Sequence, residues 1–126
     1  AQPSHPYSVG LLSSVLLPQR KVAEAERVLR LAIQETATKG WRLALARSYL
    51  GEVLLESRQF DSAEHELLTG YAGLMESEGL IPVHRRGEIP MAAGRLATLY
   101  RLLGMRDKER EWDRKAHADM LATSRT

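Results

Sequence analysis

Apolar and small residues recur along this chain at three-and-four spacing, the period of a helix with one buried stripe. From Lys21 onward the stripe is Val22, Ala25, Val28, Leu29, Ala32 and Ile33. It predicts a helix ending near Lys39 and Gly40, where glycine can take the left-handed cap conformation. Upstream, 7–17 reads as a helix stopped by Pro18, since proline in a helix interior costs about 3 kcal/mol. Downstream, 41–56 turns Leu43, Ala46, Leu50, Val53 and Leu54 inward. A fourth helix spans 61–77, with Asp61 or Ser62 placed to accept the free amide protons at its start. Gly79 and Pro82 make 78–83 a loop. A fifth helix runs from about His84 to Leu103 and is weak until Pro90, which either kinks it or sits in the first turn of a fresh start. The last, 107–121, places Trp112, Ala116 and Met120 on one face, and 123–126 are expected to fray. No segment alternates with period two for long enough to argue a strand, so the fold is expected to be all-α.

The pattern repeats. Adding 38 to Leu12, Leu16, Val22, Ala25, Leu29 and Ala32 gives Leu50, Leu54, Phe60, Ala63, Leu67 and Gly70, all apolar or small. A further 46 gives Leu96, Tyr100, Arg106, Glu109, Asp113 and Ala116, a copy that holds in its first half and at its last position. Gly104 supplies the turn of this third copy, and Trp112 takes apolar duty one place early. Repeats fall at about 5–39, 41–78 and 84–121 within a single domain of 1–126. One helix pair buries too little apolar surface to stand alone, so such pairs stack. Small residues at Ala25, Gly51 and Ala63 then mark where one helix passes close to another.

These residues resemble the tetratricopeptide repeat. Leu50, Gly51, Leu54, Phe60, Ala63 and Leu67 match its core pattern, with Gly70 in place of the final Ala. Leu12, Ser13, Leu16, Val22, Ala25, Leu29 and Ala32 match in the first copy, and Leu96, Ala97, Tyr100, Gly104 and Ala116 in the third. Spacings of 38 and 46 exceed the usual 34, and His5-Pro6 is similar to the opening of the longer, kinesin-light-chain-like repeats. Glu109, where a small residue belongs, implies a looser or differently angled last pair. The resemblance implies three antiparallel helix pairs stacked as a right-handed superhelix, an α-solenoid. The stretches 41–51, 60–64, 99–104 and 111–112 also resemble C-terminal repeat tails of bacterial multidomain serine/threonine protein kinases. Pro3, His5 and Pro6 read as a linker entering the first repeat, as in a piece of a larger protein.

In the tetratricopeptide family the first helix of each pair lines a concave groove that holds peptides or partner helices. The resemblance therefore implies a groove made of Ser48, Tyr49, Glu52, Leu55 and Glu56, facing Arg95, Thr98, Arg101 and Leu102, with Ser14 and Leu17 beside them. Tyr49 and Arg95 are the residue types that most often anchor interfaces. The alternative is that Glu52, Glu56, Arg95 and Arg101 are solvated charges, or pair with one another between helices.

Composition narrows the chemistry. Hydrophobic residues make up 44% and charged residues 27% of the 126, the balance of a packed globular domain. The net charge is only +2, and acids interleave with bases over 107–115, which reads as a solvated helix face. Nucleic-acid binding is not expected, since Arg85, Arg86 and the cations of 106–115 stand among acids without an aromatic stacking platform. With no cysteine there is neither a disulfide nor a thiolate site. No apolar run approaches the roughly 20 residues of a membrane span, and no targeting segment is visible. A cytoplasmic, non-membrane location is expected. His5, His65, His84 and His117 are scattered, and neither a His-Glu-x-x-His nor a phosphate-loop spacing occurs. No catalytic, metal or cofactor site is expected. The chain reads as a protein-interaction module for a protein or peptide, with self-association through Trp112, Met120 and Leu121 of the terminal helix, or a regulatory kinase tail, as alternatives.

Overall fold

The computed structural model describes residues 19–35 and 40–124. Over these it consists of α1 (Gln19–Glu35), α2 (Trp41–Glu56), α3 (Phe60–Glu76), two 3-10 turns (Glu78–Leu80 and Val83–Arg85), α4 (Glu88–Leu102) and α5 (Arg106–Ser124). The described residues are all-α and contain no strand. The helix expected over 7–17, with Ser14 and Leu17, lies outside them, as does the helix end expected near Lys39.

Local chemistry sets the helix ends. At the end of α2 the Gln59 amide donates to Leu54 O at 2.9 Å and the Arg58 amide to Leu55 O at 3.1 Å. This paired six-to-one and five-to-two bonding stops a helix when the residue after the cap takes a left-handed conformation. Arg58 does so with φ 63°. The end of α4 repeats the arrangement: Met105 donates to Tyr100 O at 2.9 Å, Gly104 to Arg101 O at 3.1 Å, and Gly104 has φ 73°. Because the left-handed turn brings the chain round at Gln59, that residue becomes the N-cap of α3 and makes no side-chain cap bond. Asp61 therefore does not cap the helix as expected; it lies in the first turn, where a carboxylate still favours the helix dipole. Gly40 is the N-cap of α2, with φ 97°. Pro90 is in the first turn of α4, where amides lack intrahelical acceptors, so no hydrogen bond is lost. The stretch before it is a 3-10 turn rather than a weak helix.

The repeat register governs burial. Val22, Ala25, Leu29, Leu50, Leu54, Ala63, Leu67, Leu96 and Tyr100 are all buried, and each Leu contributes about 1.5–3 kcal/mol. α2 packs most extensively on α3, and α4 on α5, as hairpin neighbours; α1 lies against α2, α3 against α4, and α2 touches α4 more lightly. The last helix differs from the others. None of its described residues is fully buried, and its half-buried stripe is Glu109, Trp112, Ala116, Asp119 and Thr123. Met120, placed on one face with Trp112 and Ala116, is exposed; Asp119 takes the half-buried position beside it, its Oδ2 accepting from the Tyr71 hydroxyl at 2.7 Å. Trp112 meets the Tyr71 ring edge-on at a centroid distance of 5.0 Å. No described helix is long and apolar enough to cross a membrane.

Candidate functional site

The light contact between α2 and α4 leaves room beside it. Glu52, Leu55 and Glu56 from α2, Arg58 from the turn, and Arg95, Thr98 and Leu102 from α4 line a pocket of about 260 Å³. One helical turn separates Glu52 from Glu56, and Arg95, Thr98 and Leu102 follow the same spacing on α4, so two helix stripes face each other. Among the residues anticipated for the groove, Glu52, Glu56, Arg95 and Thr98 come together here with Leu55 and Leu102. Ser48 and Tyr49 are buried beneath the pocket, and Arg101 is exposed without joining its lining. Arg58 was not anticipated. Its signal is positional: it stands 46 residues before Gly104, at the equivalent turn.

Arg95 forms the floor. Only 7% exposed, it donates from Nη1 to Ser48 Oγ at 3.0 Å and pairs through Nε with Glu52 Oε1 at 3.5 Å. Its guanidinium lies 4.8 Å from the Tyr49 ring centroid. A buried cation needs such partners, since an uncompensated one costs several kcal/mol, on the order of 3–5. Nε itself is buried and has no hydrogen-bond partner. The arrangement extends away from the pocket. Tyr49, 4% exposed, donates its hydroxyl to Glu88 Oε2 at 3.1 Å. Glu88 pairs with Arg85 at 3.6 Å, and the Arg85 guanidinium lies 5.6 Å from the Trp41 ring. α2 and α4 are thus joined by alternating rings and charges.

Three tyrosines make equivalent links. Tyr49 joins α2 to α4 through Glu88, Tyr100 donates from α4 to Glu64 Oε2 of α3 at 2.6 Å, and Tyr71 joins α3 to Asp119 of α5. Burial, with the neighbouring Glu88 carboxylate next, pushes the Tyr49 phenol from 10.0 up to about 12. Burial and then the bonded carboxylate raise Tyr71 and Tyr100 as well. All three hydroxyls are therefore protonated donors at neutral pH.

The pocket offers two carboxylates, two guanidiniums, a hydroxyl already donated to Gly94 O by Thr98, and an aliphatic wall. Such a surface suits non-covalent recognition through hydrogen bonds and apolar contact. Among the described residues no group of three His, Cys, Asp or Glu side chains is placed to hold a metal ion. Compared with known proteins, the chain matches no family model, no curated protein and no solved structure.

Proposed function

We propose that the chain is a tetratricopeptide-like module, its antiparallel helix pairs stacked as a right-handed superhelix, that holds a peptide or helix of a partner protein between α2 and α4. It performs no catalysis and belongs to a larger bacterial protein, in keeping with the kinase-tail resemblance. The observation that carries this reading is the pocket: Glu52, Glu56, Arg95 and Thr98, which the tetratricopeptide resemblance assigns to a groove, come from two separate helices and line one concavity. The small residues add support, since Ala25 and Ala63 are buried and a Cβ added at Gly51 would stand 2.5 Å from Leu67 Cγ. A second reading, self-association through α5, has its own observation in the exposed side chains of Met120 and Leu121.

A displayed library of linear peptides, panned against the intact chain, tests the first reading. The expected result is an enriched peptide whose binding shifts amide resonances at Glu52, Glu56 and Thr98 and is lost on Glu56→Lys. Shifts confined to α5, with a mass that rises with concentration, favour self-association. Binding of random oligonucleotides that falls steeply with salt turns the assignment to nucleic acid. Failure to enrich any peptide rejects the peptide groove.

A further inference from the structure

Four charged side chains line the pocket, and they divide into two kinds. Glu52 and Arg95 pair with each other at 3.5 Å, Arg95 from a buried position. Their charges are spent inside the fold. Glu56 and Arg58 differ: neither side chain forms a hydrogen bond or ion pair with another described residue, although both line the same concavity. Glu56 is the last residue of α2 and Arg58 follows its C-cap. The pocket thus carries one uncommitted charge of each sign at its turn end.

The backbone at Arg58 is the second observation. At φ 63° it holds a left-handed conformation that is unfavourable for any residue with a Cβ. The turn needs the conformation but no side chain, and the equivalent turn after α4 meets the need with Gly104 at φ 73°. Arg58 brings a guanidinium that is exposed and unpaired among the described residues. Strain of this kind gathers at ligand clamps, where the side chain it presents is used.

The two charges together select the occupant. An acidic segment would bring its charge toward Glu56, with Glu52 one helical turn behind it, and a basic segment would bring its charge onto Arg58. Like charges brought together repel. A segment with one charge of each sign meets no such penalty. The order follows from the chain: the C-terminal end of α2 favours a cation beside Glu56, and Arg58 stands beyond it on the turn. Leu102, 45% exposed, gives the same pocket an apolar contact on α4.

We propose that the segment held between α2 and α4 is dipolar, with a lysine or arginine side chain on Glu56, an aspartate or glutamate side chain on Arg58, and an aliphatic side chain against Leu102. The proposal rests on the peptide-groove reading and adds the charge order of the partner.

The test uses the peptide enriched by panning, synthesised with both ends capped so that only side chains carry charge. Affinity is read by fluorescence anisotropy on wild-type chain, Glu56→Gln and Arg58→Gln, with a thermal melt of each. Both variants are expected to melt with wild type and to bind about threefold more weakly, the worth of one partly exposed ion pair. Changing the acid of the peptide to its amide should cost about threefold on wild type and nothing on Arg58→Gln; changing its base to glutamine should cost the same on wild type and nothing on Glu56→Gln. An enriched peptide without both charges, or losses that simply add in either cycle, overturns the proposal. The groove reading survives that outcome if Glu56→Lys or Thr98→Lys abolishes binding, and falls with it if neither does. A peptide that binds only with its terminal carboxylate uncapped puts a chain end in place of the acidic side chain and also overturns the proposal. So does a variant that melts below wild type, because its charge then serves the fold.

Discussion

Between α2 and α3 the backbones themselves meet: a Cβ placed on Gly70 would lie 2.8 Å from both Ala44 O and Ser48 N. Between α4 and α5 the last helix offers no fully buried residue among those described. Part of its hold is on α3, where Trp112 meets the Tyr71 ring and Asp119 takes the Tyr71 hydroxyl. Yet both hairpins turn through the same bonding pattern, with a left-handed residue at Arg58 or Gly104. One turn geometry thus serves two kinds of seam. Where backbones touch, the seam is broken by adding atoms; where side chains bridge, it is broken by removing them.

Gly70→Ala should have the largest effect. Alanine is the better helix former by about 1 kcal/mol, so on propensity alone the variant would gain stability. The added methyl faces backbone rather than a mobile side chain, and the helices must separate, costing about 2–3 kcal/mol net. Urea denaturation measures it. A variant as stable as wild type would show that the α2–α3 approach is looser than described.

Tyr71→Phe comes next and probes the other seam. It removes the bond to Asp119 while keeping the ring against Trp112, at a cost of about 1–1.5 kcal/mol. Hydrogen exchange should accelerate in α5 well before α2. Alkaline pH attacks the same kind of link at α2 and α4. The Tyr49 phenol is raised from 10.0 to about 12, so above pH 10 the unfolded chain gives up a proton that the folded chain keeps. Its stabilising contribution is complete below about pH 10 and is lost as pH rises through about 12. The raised phenols of Tyr71 and Tyr100 add to the loss in the same direction. Denaturation midpoints across this range should fall less steeply in Tyr49→Phe.

The backbone seam was more legible in the sequence than the side-chain seam. Register under the 38-residue shift singled out Ala25, Ala63 and Gly70, and Gly51 stood out beside Leu50 as a small residue of the tetratricopeptide pattern, because close helix packing leaves small residues at fixed phase. Gly73, against Ala44, lies outside that register and gave no sign. In α5 the apolar stripe is thin, and of Asp119 and Met120, adjacent in sequence, it is Asp119 that meets Tyr71 of another helix. Glu52, Glu56, Arg95 and Thr98, which line the pocket, were named from the tetratricopeptide resemblance and not from any local pattern. That Arg95 is buried while Arg101 is exposed depends on Ser48, Tyr49 and Glu52 gathered around one guanidinium and not the other, which no local pattern encodes.

Arg58→Gly should have the smallest effect on stability and sharpens the comparison of the two turns. Both use the left-handed conformation, but Gly104 holds it without a Cβ whereas Arg58, at φ 63°, carries one. The strain of that conformation on a non-glycine residue is about 1–2 kcal/mol, and glycine would relieve it. Glycine also gives the unfolded chain more freedom, which takes back part of the gain. A net stabilisation of about 0.5–1 kcal/mol is expected, visible as a small rise in the urea midpoint. The consequence for the pocket runs the other way, because Arg58 lines its rim and forms no ion pair with another described residue. If this residue is strained in order to present its guanidinium to a partner, Arg58→Gly should be more stable and bind the panned peptide less well, while Gly104→Arg should lose stability without touching binding. Equal affinity in Arg58→Gly would reduce Arg58 to a turn residue in an unfavourable conformation, and the two hairpin turns would then differ in strain alone.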